Sequence, residues 1–244
     1  MVGFATAVLC TIFAPFGAFC LVWSMIFLLR SDYLSAVVAT GAASFSLGLV
    51  AMLVLVVLGR VTPRISNDDA GATIRPDMRV DCLLLIATTG AFVAMACYAI
   101  SAPQGWLSIP VAHRDDRYYV LVCAIGVVVG VFSLRQILKA RGTSYIRLTL
   151  DGIETATTTS TVRQSWDDVI SVADKPQNGN RPTGATYITT VDGRTRTLPS
   201  NWYTPGGRAL RKLIRFYWRN PARRGELVDA RIVQRLQIEA PGAV

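Results

Sequence analysis

The sequence predicts a membrane protein in which a four-helix transmembrane bundle is followed by a strand-rich soluble domain. Four long apolar runs occupy the first 138 of the 244 residues: Val2–Leu29, Leu34–Gly59, Cys82–Ser101 and Tyr118–Leu138. Each run has about the 20 residues that a helix needs to cross a ~30 Å hydrocarbon core. Beyond them, apolar and polar residues alternate as in half-buried strands. We therefore divide the chain into a transmembrane domain (1–142), a soluble domain (143–220) and a C-terminal helix with a tail (221–244).

The four runs are almost free of charge. No Asp, Glu, Lys or His lies deep within any of them, and Arg135 is one turn from the end of the fourth. Ionisable residues inside a membrane commonly mark ion or proton pathways. Their absence from these runs argues against a pump, transporter or channel that acts alone.

Small residues recur at a spacing of four within the runs, at Gly126 and Gly130 and again at Ser44 and Gly48. This spacing lets helix backbones approach closely. We favour packing inside the four-helix bundle, with a dimer or partner face as the alternative.

The charges of the loops predict the orientation. The loop between the second and third runs carries four arginines, and 17 of the 25 basic residues lie in residues 139–244. Because basic loops stay on the cytoplasmic side, we expect a multi-pass protein of the inner (plasma) membrane with both termini cytoplasmic. We interpret the loop Arg60–Asp81 as a solvated, turn-rich connector.

The composition also bears on partners and source. A basic domain beside a membrane favours anionic lipid headgroups as partners, and a membrane-bound position disfavours nucleic acid. Only three of the 25 basic residues are lysines, a bias typical of GC-rich genomes, which favours a bacterial and specifically an actinobacterial source.

After Gly142 the pattern predicts a meander of short strands. Tyr145–Leu150 alternates apolar and polar residues, and Asp151-Gly152 after it is a strong hairpin signal. Further strands are expected at Ile153–Thr157, Thr161–Gln164, Ser165–Val172, Ala185–Val191 and Arg194–Leu198. Trp166 is expected in their core. Glu226–Ile238 is expected to form a short helix that packs on this domain or on a partner.

An amphipathic helix closes the domain before Asn220-Pro221. Its basic positions are Arg208, Arg211, Lys212, Arg215 and Arg219. One interpretation is that these residues contact an anionic bilayer or a partner protein. The other is that the apolar face caps the strands while the basic face is solvated, and both hold together if the basic face stays free.

The order of these elements resembles the pleckstrin-homology (PH) fold in its bacterial PH-like form. The resemblance lies in Leu148–Ile153, Trp166–Val169, Val191–Gly193 and the helix Leu210–Arg219. It implies a cytoplasmic β-barrel or sandwich, capped by the C-terminal amphipathic helix, that serves as an interaction module. Phosphoinositide-binding members carry Lys and Arg around the first hairpin loop. Here that loop is Asp151-Gly152 with Glu154 beside it, so the resemblance does not imply inositol-lipid binding.

No residue pattern predicts an enzyme. Asp167 and Asp168 are adjacent, so on a strand they would point to opposite faces, and we interpret them as solvated or turn-forming residues. His113 beside Asp115-Asp116 lacks metal-ligand spacing, and the five cysteines form no CxxC pair. We expect no catalytic residue, no cofactor and no metal.

The leading hypothesis is a non-enzymatic accessory or scaffold subunit that docks on a larger membrane complex. An envelope lipid transporter of Mce type and a respiratory complex are the candidate hosts. The alternatives are a lipid-handling protein that binds anionic lipid and, further, a small transporter.

Overall fold

Four long helices form the first part of the protein, as the sequence predicted. The computed structural model describes residues 2–109, 116–140, 142–156, 161–176, 184–229 and 231–239. The helices are α1 (Val2–Leu29), α2 (Tyr33–Val57), α3 (Met78–Ser101) and α4 (Asp116–Ala140). All four are long and apolar enough to cross a membrane.

Local backbone hydrogen bonds explain where α2 ends. The sequence placed its end at Gly59, but the helix stops at Val57. Gly59 has a left-handed φ of +65°, and Arg60 donates its N–H to the Leu55 carbonyl at 3.2 Å while Gly59 donates to Val56 at 3.1 Å. These two bonds form a Schellman motif, which satisfies the last carbonyls of a helix and stops it.

The interpretation of Arg60–Asp81 as a solvated connector is wrong. This loop folds into a hairpin of β1 (Arg64–Asp68) and β2 (Gly71–Arg75). Ala72 and Ile74 of β2 are fully buried, and β2 pairs with the first strand that follows α4. The loop therefore belongs to the β-rich unit, which is discontinuous in sequence and includes Val54–Asp81 as well as Lys139–Val244.

Two antiparallel sheets make up this unit. The later strands are β3 (Tyr145–Thr149), β4 (Gly152–Ala156), β5 (Thr161–Ser165), β6 (Val169–Ala173), β7 (Thr186–Thr190) and β8 (Thr195–Leu198). One sheet has the order β1-β2-β3-β4-β5 and the other β6-β7-β8. The other predicted strands are thus present, but the expected strand Ser165–Val172 is not one strand, because Ser165 ends β5, residues 166–168 form a turn and β6 begins at Val169. Residues 177–183, between β6 and β7, and the C-terminal residues 240–244 lie outside the described residues.

The core lies between the sheets and two C-terminal helices, α5 (Arg208–Arg219) and α6 (Arg231–Glu239). Trp166 is 1% exposed, which confirms its predicted burial, and its Nε1 donates to the Thr149 carbonyl at 2.9 Å. The apolar face of α5 packs into the same core through Leu210, Leu213, Ile214 and Tyr217. Ile232 and Leu236 of α6 are fully buried there, so the expected packing of a short C-terminal helix on this unit is confirmed.

Candidate interaction surfaces

The basic positions of α5 do not form one free surface. Arg208, Lys212 and Arg219 are exposed, but only 8% of Arg211 is accessible. Arg211 Nη1 lies 3.3 Å from Asp174 Oδ2, and burial lowers the pKa of this guanidinium. The expectation that all five side chains are available for a bilayer or a partner therefore does not fit Arg211, because the segment after β6 covers it.

The other end of α5 covers the edge of the second sheet. Arg215 Nη2 donates to the Val172 carbonyl at 2.6 Å, and Trp218 Nε1 donates to the Val169 carbonyl at 3.0 Å. Both acceptors belong to the edge strand β6. Unpaired edge groups are a template for unwanted strand pairing, and these two bonds occupy part of that edge. Arg215 thus has a structural partner that the sequence pattern did not reveal.

The small residues of the spans lie at contacts between helices. A Cβ added at Gly126 would lie 2.3 Å from Met95 Sδ, and one at Gly130 would lie 2.5 Å from Phe92 Cδ2. Gly48 of α2 faces Ala87 in the same way, and Gly90 faces Ser44. Between α3 and α4 the side chains of Met95 and Phe92 occupy the space over these glycines, whereas α2 and α3 approach through their backbones, since a Cβ at Gly90 would lie 2.9 Å from the Gly41 carbonyl oxygen. This arrangement favours packing within the bundle over a partner face.

A shallow groove of about 400 Å³ lies on the outer face of the five-stranded sheet. Arg147, Glu154 and Arg163 stand side by side across it, because Arg147 pairs with Glu154 and Glu154 with Arg163 in the strand register. Glu154 Oε1 accepts from the Tyr145 hydroxyl at 2.6 Å and Oε2 from Arg163 Nε at 2.6 Å. Burial opposes ionisation of Glu154, but these bonds outweigh it and lower its pKa. The charges neutralise one another, so the groove is not a concentrated anion or cation site.

Four exposed aspartates lie at three turns of the β unit. These turns are Leu150–Asp151, Ser165–Asp168 and Val191–Arg194, which we call the acidic rim. Asp151, Asp167, Asp168 and Asp192 are all exposed. Asp167 and Asp168 are thus solvent-facing turn residues. The sequence indicated that both residues are solvated or turn-forming, which the structure confirms, but it did not reveal their grouping with the two Asp-Gly turns.

The described residues contain no cluster of three or more His, Cys, Asp or Glu side chains that could hold a metal ion. His113 and Asp115 lie outside the described residues. Comparison with protein-family models, with curated proteins and with solved structures finds no match.

Proposed function

We propose that the protein is a non-enzymatic, multi-pass accessory or scaffold subunit of a larger membrane complex. In this proposal the helices dock within the membrane and the β unit presents a cytoplasmic, PH-like interaction module. A complex that transports envelope lipid, of Mce type, or a respiratory complex is the proposed host. The absence of deep ionisable residues from the four apolar sequences supports a role other than transport.

The observation that carries the proposal is the hairpin β1–β2. It enters the same sheet as β3, so the β unit is joined to the helices by three chain connections: α2 to β1, β2 to α3 and α4 to β3. A β unit assembled from two separate stretches of the chain, one of them between two apolar helices, suits a scaffold that presents a partner-binding surface.

The PH-like assignment rests on the arrangement from β3 to α5. Strands β3–β5 and β6–β8 form antiparallel meanders in two sheets, and the amphipathic helix α5 follows them and packs into their common core. The hairpin β1–β2, on the far side of β3, is an addition to that pattern. The first turn of the meander carries Asp151 and not a basic cluster. We therefore propose protein interaction, and not inositol-lipid recognition, as the role of this module.

Purification in mild detergent, followed by mass spectrometry of the co-purifying proteins, tests this function. A stoichiometric membrane-protein partner supports the accessory role. Enriched lipid without any protein partner contradicts it and supports the lipid-handling alternative.

One observation favours that alternative. A mostly apolar groove of about 520 Å³ lies between α2 and α3, and Gly41, Ser44 and Gly90 are among the residues that line it. Its walls include Val37, Leu85 and Val93, and such a surface suits an acyl chain.

A further inference from the structure

The three turns of the acidic rim form one continuous surface. Trp166 donates its N–H to the Asp151 carbonyl at 3.1 Å, and Val191 donates its N–H to the Asp168 carbonyl at 2.9 Å. Each turn is thus hydrogen-bonded through its backbone to the next. The rim is therefore a fixed surface, not a set of independent loops.

The same region carries the exposed aliphatic side chains of residues 142–239. Leu150, Ile170 and Val191 are 46%, 55% and 67% exposed. Between residues 142 and 239 they are the only large apolar residues that the described part of the chain leaves exposed. Ile170 lies where the β6–β7 register shifts between Val169 and Ser171, and such a bulge re-aims a side chain. Single exposed apolar residues are ordinary, but their restriction to one region marks a contact surface.

The charge of the rim is opposite to that of the segment that contains it. Residues 139–244 hold 17 basic and 9 acidic residues, and four of the nine are in the rim. Arg194 lies beside Asp192, with Nε 3.3 Å from Oδ2. Arg224 contacts Trp166 of the same turn, with its Cζ 5.1 Å from the ring centroid, and its Nε donates to the Tyr217 carbonyl. The side chains of Asp151, Asp167 and Asp168 are exposed to solvent.

We propose that the acidic rim docks a protein segment in which aliphatic side chains are flanked by Lys or Arg. The aliphatic residues would cover Leu150, Ile170 and Val191, and the basic residues would pair with the surrounding carboxylates. Anionic lipid headgroups would be repelled by the same carboxylates. This inference rests on the proposed accessory function and names the surface and the partner chemistry for it.

The test uses the full chain in nanodiscs of neutral lipid as the target for a displayed library of random peptides. Empty nanodiscs remove peptides that bind lipid. We expect the enriched peptides to combine Leu, Ile or Val with Lys or Arg, and their affinity to fall with salt. Asp167→Asn with Asp168→Asn should weaken the selected peptides about tenfold, the effect of losing ~1.4 kcal/mol, and Val191→Ser should weaken them similarly.

Matched controls lie elsewhere on the same unit. Asp229→Asn and Thr197→Ser change exposed residues outside the rim and should leave binding unchanged. The proposal is overturned if no peptide is enriched, if the enriched peptides lack basic residues, or if they bind the rim variants as tightly as the parent.

Co-purification separates this inference from the function on which it rests. If the Asp167→Asn/Asp168→Asn variant retains the native partner at full stoichiometry, the docking role proposed for the acidic rim is refuted, although the accessory function stands. If peptides that depend on the acidic rim are found but no protein partner co-purifies, the docking role of the rim is supported and the accessory function is contradicted.

Discussion

The carboxylate of Asp81 accepts hydrogen bonds from both the backbone N–H and the hydroxyl of Thr143, 62 positions later in the chain. Its other oxygen accepts from Arg64 of β1. One half-buried carboxylate thus joins the first turn of α3, the hairpin and the segment that enters β3. The neighbouring Ser144 accepts from the Tyr203 hydroxyl at 3.0 Å, which extends the network to the segment before α5. Three distant parts of the sequence meet there.

Replacing Asp81 should therefore loosen the β unit. Asp81→Ala removes the acceptor for Thr143 and Arg64, and an unsatisfied buried donor costs about 1–3 kcal/mol. We expect a lower thermal unfolding midpoint for the full chain in detergent, followed by tryptophan fluorescence. Asp69→Ala, in the exposed hairpin turn, is the control. Equal midpoints for the two variants would contradict the role given to Asp81.

The hairpin predicts which fragment of the protein is stable. A fragment that starts at residue 142 lacks β2, so it exposes the edge of β3 and uncovers Ile146 and Leu148, which are fully buried in the full chain. Exposed apolar edges aggregate. We expect this fragment to aggregate and a fusion of residues 60–81 to residue 142 through a Gly/Ser linker to be soluble. Size-exclusion chromatography distinguishes them, and a monomeric, cooperatively unfolding fragment without the hairpin would argue against this account.

The membrane helices and the later strands could be predicted because their signals are long or regular. Each span is an uninterrupted apolar run, and β3 shows strict alternation in which Ile146 and Leu148 face the core. The hairpin gave a weaker signal. Its outer strand β1 has one partly buried residue, Ile65, and only Ala72 and Ile74 mark the inner face of β2. Because the buried side of β2 is completed by β3, 70 residues later in the chain, local sequence does not reveal it.

The partners of the basic residues of α5 could not be predicted from the sequence. The amphipathic pattern correctly assigned Leu210, Leu213 and Ile214 to the core. It assigned every basic residue to solvent, since periodicity describes one helix and not its neighbours. Arg211 and Arg215 lie at the border of the apolar face, where Asp174 and the Val172 carbonyl of the adjacent sheet edge reach them.

The stability of the β unit should fall in acid partly through Glu154. Its pKa is lowered below 4.5 in the folded protein, so the unfolded state binds more protons in this range. The stabilisation is fully present above pH ~4.5 and is lost as the pH falls through the lower, folded-state pKa. Glu154→Gln should make the decline of the thermal midpoint below pH ~4.5 less steep. Identical slopes for the parent and Glu154→Gln would refute the assignment.

The sheet that joins β1 to β3 makes a sharp prediction about topology. A hydrogen-bonded sheet with exposed polar edges does not cross a bilayer, so the hairpin and residues 142–239 must lie on one side. Ser66 of β1 and Thr197 of β8 are exposed positions on this unit, and Ser108 is exposed in the loop after α3. Ser200 is fully buried and its hydroxyl lies 2.5 Å from that of Thr186, so a failure to label a cysteine there would reflect burial and not the side of the membrane.

In a chain freed of its five native cysteines, Ser66→Cys and Thr197→Cys should resist a membrane-impermeant maleimide in intact cells and react after permeabilisation. Ser108→Cys should react in intact cells. Reversal of all three patterns would place the β unit outside the cell, and different behaviour of Ser66→Cys and Thr197→Cys would exclude the shared sheet itself.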